Sequence, residues 1–226
     1  ENKMTHENLK GRVAVVTGGG GVLCGAFAKT LAKQEVKVAV LDLNEEAAQR
    51  CADEIIANGG EAIAVGCNVL ELESMQKARD IIAEKLGTCD ILLNGAGGNN
   101  PKGTTTKDTL EAIDLVEKNP DVKTFFDLDP AGISFVFNLN FLGTLIPTQV
   151  FAKDMVNKKN ACIVMVTSMN AFRPLTRIPA YSAAKAAVKN FTEWMAVHFA
   201  PMGIRVNAIA PGFFSTKQNA TLLWNP

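Results

Sequence analysis

Tyr181 is the only tyrosine in the chain, and Lys185 follows it at i+4. On a helix that spacing stacks a phenol and an ammonium on one face. A free phenol titrates near ~10, too high to exchange protons efficiently at neutral pH. A cation ~4 to 6 Å away favours the phenolate by roughly 1 to 3 units, so Lys185 would bring Tyr181 towards range. Tyr181 would then serve as general base when an alcohol is oxidised and as general acid when a carbonyl is reduced. Ser168, just past the apolar run Cys162–Val166, could donate to the reacting oxygen and share its developing charge. Taken singly, a tyrosine on an amphipathic helix is more often a packing group, and a serine after a strand more often a cap. The spacing gains meaning only if all three meet a cofactor.

A second cluster supplies that context. Thr17-Gly18-Gly19-Gly20-Gly21 closes an apolar run and opens a helical stretch. Such glycines let backbone N–H groups approach a pyrophosphate at the helix N-terminus. G-x-G-x-x-G fits in no register, because its third glycine falls on Leu23 or Cys24, so a flexible turn is the plain alternative. Asp42 ends the next apolar run, near the distance at which a carboxylate meets the adenosine ribose, and it would repel a 2′-phosphate. No Arg or Lys lies among residues 17–25 or at 43, which favours NAD over NADP. No Gly-Lys-Ser/Thr follows the glycines, so an ATPase is a poor reading.

The elements that must hold these residues follow a β-α rhythm. The spacing predicts strands over 12–17, 36–42, 62–67, 90–94, 162–166 and 205–209. Helices are predicted over 22–34, 45–58 with Asn44 as cap, 72–86, about 130–158 and about 181–199. Parallel strands need right-handed helical crossovers, so the expected fold class is α/β, a doubly wound parallel sheet, Rossmann-like, in a single domain over 1–226. Ligands bind beyond the carboxyl ends of such strands, which brings Gly18–Gly21, Asp42, Asn68, Asn94–Gly98, Ser168 and Pro211-Gly212 to one rim. Residues 99–128 break the rhythm and read as an insertion with a short helix over 108–118.

Composition narrows the function classes. The 23 Lys and Arg balance the 23 Asp and Glu, so no bulk field gathers nucleic acid or anionic lipid. The longest apolar stretch, Ala161–Val166, falls far short of the ~20 residues that cross a bilayer, and no secretory signal opens the sequence, so no membrane partner and a cytoplasmic address are expected. Five scattered cysteines without a CxxC pair read as buried thiols in a reducing compartment. The two histidines, His6 and His198, offer no metal set and no Ser-His-Asp triad. His198 and Trp194 read as packing groups.

Together these stretches, with Asn140, Tyr181-Ser182-Ala183-Ala184-Lys185 and Arg205-Val206-Asn207-Ala208-Ile209-Ala210-Pro211-Gly212, resemble the short-chain dehydrogenase/reductase family almost from end to end. The resemblance implies an oxidoreductase acting on CH–OH groups, with Ser168, Tyr181 and Lys185 as catalytic trio and Asn140 as fourth member, holding a water that relays protons towards Lys185. It implies cofactor contacts from Gly18, Gly20, Gly21, Val22 and Leu23, from Asp42 and Leu43, and from Asn68-Val69, where an amide replaces the family's carboxylate. Further contacts are implied from Asn94-Gly95-Ala96-Gly97, from Tyr181 and Lys185 at the ribose, and from Pro211, Gly212, Phe214 and Thr216, the last holding the carboxamide. The family's later glycines fall on Val22 and Cys24, which would crowd the turn unless it is re-registered through Gly21 or Gly25. Members continue past the Pro-Gly loop through a lid, a strand and a final helix, so a C-terminal part is expected to be missing. A homo-oligomer, tetramer or dimer, is also expected.

The loop from Met169 to Ala180 is pinned at both ends by the proposed catalytic residues, so Asn170, Arg173 and Arg177 are the candidate substrate contacts. An arginine fork suits a carboxylate, which points to a small polar substrate such as a sugar acid, although both arginines could equally face solvent. Lys102–Thr106 and Phe125–Leu128 resemble the D-mannonate oxidoreductase branch, implying D-mannonate and D-fructuronate. The rival readings are a 3-oxoacyl or other carbonyl reductase, and a nucleotide-binding regulator without turnover.

Overall fold

The computed structural model describes residues 7–117 and 119–214. Six short apolar runs form the strands β1 (Val13–Thr17), β2 (Lys37–Asp42), β3 (Ala62–Gly66), β4 (Ile91–Asn94), β5 (Cys162–Val166) and β6 (Arg205–Ile209). They make one parallel sheet in the order β3-β2-β1-β4-β5-β6. The order reverses between β1 and β4, whose following helices pack on opposite faces of the sheet, and the crevice opens beyond the carboxyl ends of these strands.

Every residue of β1 is buried, because the sheet is covered on both faces. Val13 and Val15 pack into one core with α3 (Leu72–Lys85), α6 (Gly143–Met155) and α7 (Pro179–Phe199). Ala14 and Val16, pointing the other way, pack against α1 (Val22–Ala32) and α2 (Glu45–Ala57). Asn44 caps α2 by accepting from the Ala47 N–H, as its sequence position suggests.

Three elements depart from the sequence reading. The predicted helix over 108–118 shrinks to α4 (Ile113–Val116), because its first residues are drawn elsewhere: Asp108 accepts from Thr176 and Arg177. The final helix starts two residues early, at Pro179, a residue suited to the first helical turn. The long helix runs Pro130–Met155 and is not uniform: α5 (Pro130–Phe137) passes through a π-turn at Asn138–Leu142 into α6.

By length and composition that helix could cross a membrane, contrary to the expectation of no such segment. Yet half of its most apolar stretch is buried, and Val150, Phe151 and Met155 sit in the sheet core. On the outer side of α7, Trp194 stacks on His198 at 4.5 Å, and both are exposed.

Candidate active site

A cavity of about 630 Å³ opens at the carboxyl ends of the strands. One end is built by the glycine turn. Gly18 adopts φ +66°, and a Cβ there would come within 3.0 Å of the Ala96 nitrogen, so only glycine lets the turn lie this close to the β4 loop. The departure from the family's glycine spacing is resolved by re-registration. Gly21 is the N-cap of α1 and Gly25 takes the packing role, since a Cβ on it would meet the Gly19 carbonyl at 3.1 Å. The first bond in α1 runs from the Gly25 N–H to the Gly21 carbonyl. The N–H groups of Val22, Leu23 and Cys24 therefore belong to the unpartnered first turn, and all three residues line the cavity. Val22, far from crowding the turn, is 67% exposed.

Asp42 lines the same end, its carboxylate fixed by the N–H groups of Gly20 (3.0 Å) and Asn44 (2.9 Å). Leu43, Asn68 and Val69 continue this wall. The Asn68 amide is engaged locally: it donates to Glu71 and accepts from the Leu70 N–H. Gly20 does not reach the cavity. It is pressed against α2, where a Cβ would lie 2.7 Å from that of Ala47, and its part is to anchor Asp42.

The floor is the segment after β4. Thr17, fully buried, accepts from the Gly95 and Ala96 N–H groups at 3.0 and 3.2 Å. A Cβ on Gly95 would sit 2.1 Å from the Cys24 sulfur, and one on Gly97 would strike Asn140 Oδ1 at 2.6 Å. Asn94 and Asn140 lie beneath the wall and not on it. Asn94 turns away to donate to Thr148, while Asn140, with no exposed surface, clamps Gly98: it donates to its carbonyl (2.7 Å) and accepts from its N–H (3.3 Å).

At the inner end Ser168, Tyr181 and Lys185 converge on the cavity. Lys185 is 4% exposed, donates to the Val166 carbonyl at 2.8 Å and lies 5.6 Å from the Tyr181 ring centroid. Burial pushes it down to about 8. The expected lowering of Tyr181 by Lys185 is not found among the protein's own groups. Burial raises the phenol above its ordinary value, and only the hydrogen bond with Ser168 acts the other way. Pro211, Gly212 and Phe214 close the rim; Thr216 lies outside the described residues.

The substrate candidates do not converge. Asn170 is buried, and its backbone N–H donates to Ser168 Oγ at 3.2 Å. Arg173 is exposed, while Arg177 is turned aside into an ion pair with Asp108 at 3.1 Å. The reading from sequence missed Cys24, Cys67, Leu139 and Thr167 as cavity residues. Cys24 and Cys67 were legible only as buried apolar groups, and burial pushes both thiols up to about 11.

Open helix N–H groups at one end, a fixed carboxylate beside them and side-chain-free walls between fit a dinucleotide with a pyrophosphate. The inner trio can exchange a proton with a substrate oxygen.

Residues 12–224 match the profile of the short chain dehydrogenases. An uncharacterised oxidoreductase of Haemophilus influenzae is 55% identical over 99% of this chain and 77% of its own length. One from Bacillus subtilis is 48% identical over 97% of this chain and 77% of its own. A solved Haemophilus structure, of a candidate D-mannonate oxidoreductase with bound NAD, superposes with a TM-score of 0.91 at 55% identity, covering 96% of this chain and 76% of that one.

Proposed function

The chain belongs to the short-chain dehydrogenase family, and from that premise we propose that it is an NAD-dependent oxidoreductase of the secondary alcohol of a sugar acid, interconverting D-mannonate and D-fructuronate. The observation that carries the reaction type is the convergence of Ser168, Tyr181 and Lys185 on the far end of a cavity whose near end holds Asp42 and the open first turn of α1. The substrate reading rests on the NAD-bound Haemophilus neighbour described as a D-mannonate oxidoreductase, and on Arg173, exposed on the loop that joins Ser168 to Tyr181.

NAD, when bound, would supply the hydride acceptor and a positive charge. Asp42, already oriented by two N–H groups, accepts from a ribose hydroxyl, and its charge disfavours a 2′-phosphate. Gly18, Gly21, Gly95 and Gly97 keep side chains out of the space for the pyrophosphate and nicotinamide ribose. Tyr181 Oη holds the proton that passes to or from the substrate oxygen, and Ser168 Oγ donates to that oxygen as it gains charge. Within the protein, the hydrogen bond with Ser168 is what opposes the cost that burial imposes on the phenolate once Tyr181 gives up its proton. The five unpaired thiols are in keeping with a reducing compartment, and we place the enzyme in the cytoplasm.

The test is a panel of hexonates with NAD and NADP, and of ketohexuronates with NADH. Turnover of mannonate with NAD at the highest kcat/KM, and a weaker response to NADP, is expected. Preference for an uncharged steroid or acyl ketone would discard the sugar-acid assignment, and equal use of NADP would discard the role given to Asp42.

A further inference from the structure

Beneath the cavity floor runs a chain of buried polar groups that the proton-transfer chemistry does not use. Asn94, at the end of β4, donates from Nδ2 to Thr148 Oγ1 at 2.9 Å. Thr148 Oγ1 donates to the Thr144 carbonyl at 2.7 Å, and Thr144 Oγ1 donates to the Asn140 carbonyl at 2.9 Å. Asn140 then grips both backbone groups of Gly98, four residues along from Asn94. The circuit closes on the cofactor wall, and Asn94, Asn140, Thr144 and Thr148 are each at most 3% exposed.

The polarity of the circuit is fixed. The single hydroxyl proton of Thr148 is committed to the Thr144 carbonyl, so its oxygen is left as an acceptor, and an acceptor is what the Asn94 amide needs. With Nδ2 turned to Thr148, Asn94 Oδ1 is left buried without a donor. Such an orphan is costly, so the amide orientation depends on the partners of Nδ2, which are Thr148 Oγ1 and, more weakly, the Met165 sulfur at 3.3 Å. The circuit also crosses the weakest stretch of its helix, between the π-turn at Asn138–Leu142 and Pro147, where backbone bonds alone hold the spacing less firmly.

We propose that Thr148 is a positioning residue: its hydroxyl ties the end of β4 to the Asn140 turn, so that Gly95–Gly98, the wall of the cofactor cavity, keeps one position for the nicotinamide. The positioning role rests on the NAD-dependent reading above.

The experiment compares Thr148→Val, which keeps the shape and loses the hydroxyl, with Thr148→Ser, which keeps the hydroxyl. Amide hydrogen exchange over residues 95–98 is read without any cofactor, NADH affinity by fluorescence, and kcat and KM by turnover. Faster exchange in Thr148→Val, NADH binding weakened about tenfold, as one unsatisfied buried amide implies, and a fall in kcat larger than the rise in substrate KM are expected. Thr148→Ser is expected to restore all three to within about twofold. Unchanged exchange in Thr148→Val overturns the circuit. Faster exchange with unchanged NADH affinity and kcat overturns the positioning role, and equal losses in Val and Ser reduce Thr148 to packing. If Thr148→Val does not fold, Thr144→Val interrupts the next link with the same expected signs, and native-like exchange and affinity there overturn the proposal. A native protein that binds no NADH would defeat the NAD reading, and with it the positioning role, while the exchange comparison still decides the circuit.

Discussion

The two sides of the cleft are made of different material. The dinucleotide side is largely backbone: Gly18, Gly21, Gly95, Ala96 and Gly97 line it, and the N–H groups of Gly95 and Ala96 are held from beneath by Thr17. The loop between Ser168 and Tyr181 instead presents side chains, with Phe172 at 61% exposure, Arg173 exposed and Arg177 drawn away by Asp108. A backbone wall has no rotamers and no room, so it has one shape and fails when a methyl group is added. A side-chain wall can move, and its changes should alter which substrate is used more than whether the site exists.

The largest effect should come where the two sides meet. Tyr181→Phe removes the group that carries the proton, and a loss of kcat of about 10² to 10⁴-fold is expected, with NADH affinity preserved in a fluorescence titration. Retained turnover would discard the proton-transfer assignment. On the backbone side, Gly95→Ala would set a Cβ 2.1 Å from the Cys24 sulfur and 3.0 Å from the Thr17 carbonyl. Overpacking of that kind costs about 1–3 kcal/mol, so both a lower Tm and weaker NADH binding are expected. A variant with native Tm and native affinity would show that this wall is softer than its geometry.

A smaller effect tests the burial of Lys185. Its ammonium titrates at about 8 in the folded chain against an ordinary value of 10.5, so between those values the unfolded chain binds more protons and stability rises with pH. The cost of burying the charge is present in full below about 8 and is lifted as the pH climbs through the window. Lys185→Met removes this titration, so its Tm relative to the native protein should fall over that range. A constant difference would refute the shift. The smallest effects belong to the side-chain wall: Arg173→Ala should raise KM for a hexonate by up to about tenfold with kcat little changed, and Arg177→Ala by less, because Arg177 is already spent on Asp108. A larger effect at Arg177 in steady-state kinetics would reverse that ranking and show that the ion pair opens for substrate.

Legibility followed the same division. The span Cys162–Val166 was readable to the residue because it leaves a continuous apolar run, and Arg205–Ile209 was readable to the residue although only Val206 in it is buried. Gly21, Asp42 and Gly95–Gly97 were readable as rim residues because strand ends dictate them. Re-registration through Gly21 or Gly25 was readable only as an alternative, since four consecutive glycines allow several turns, and the Gly21 N-cap with the contact of Gly25 on the Gly19 carbonyl selects it. The raised titration of Tyr181 was not readable, since it depends on what surrounds the phenol more than on the lysine at i+4. Asp108 and Arg177 lie far apart in sequence, and no local pattern announces that they pair.

The sequence by itself determined the succession of strands and helices, the ligand rim at the carboxyl ends of the strands, and the placing of glycines, an acid and a phenol–ammonium pair along that rim. Those follow from periodicity and from backbone sterics, which are local. Only the tertiary structure decided that Asn140 and Asn94 lie under the wall, that Lys185 is buried enough to titrate near 8, and which arginine remains free. Desolvation and hydrogen-bond partnership are set by groups distant in the chain, and they exist only once the sheet has closed over them.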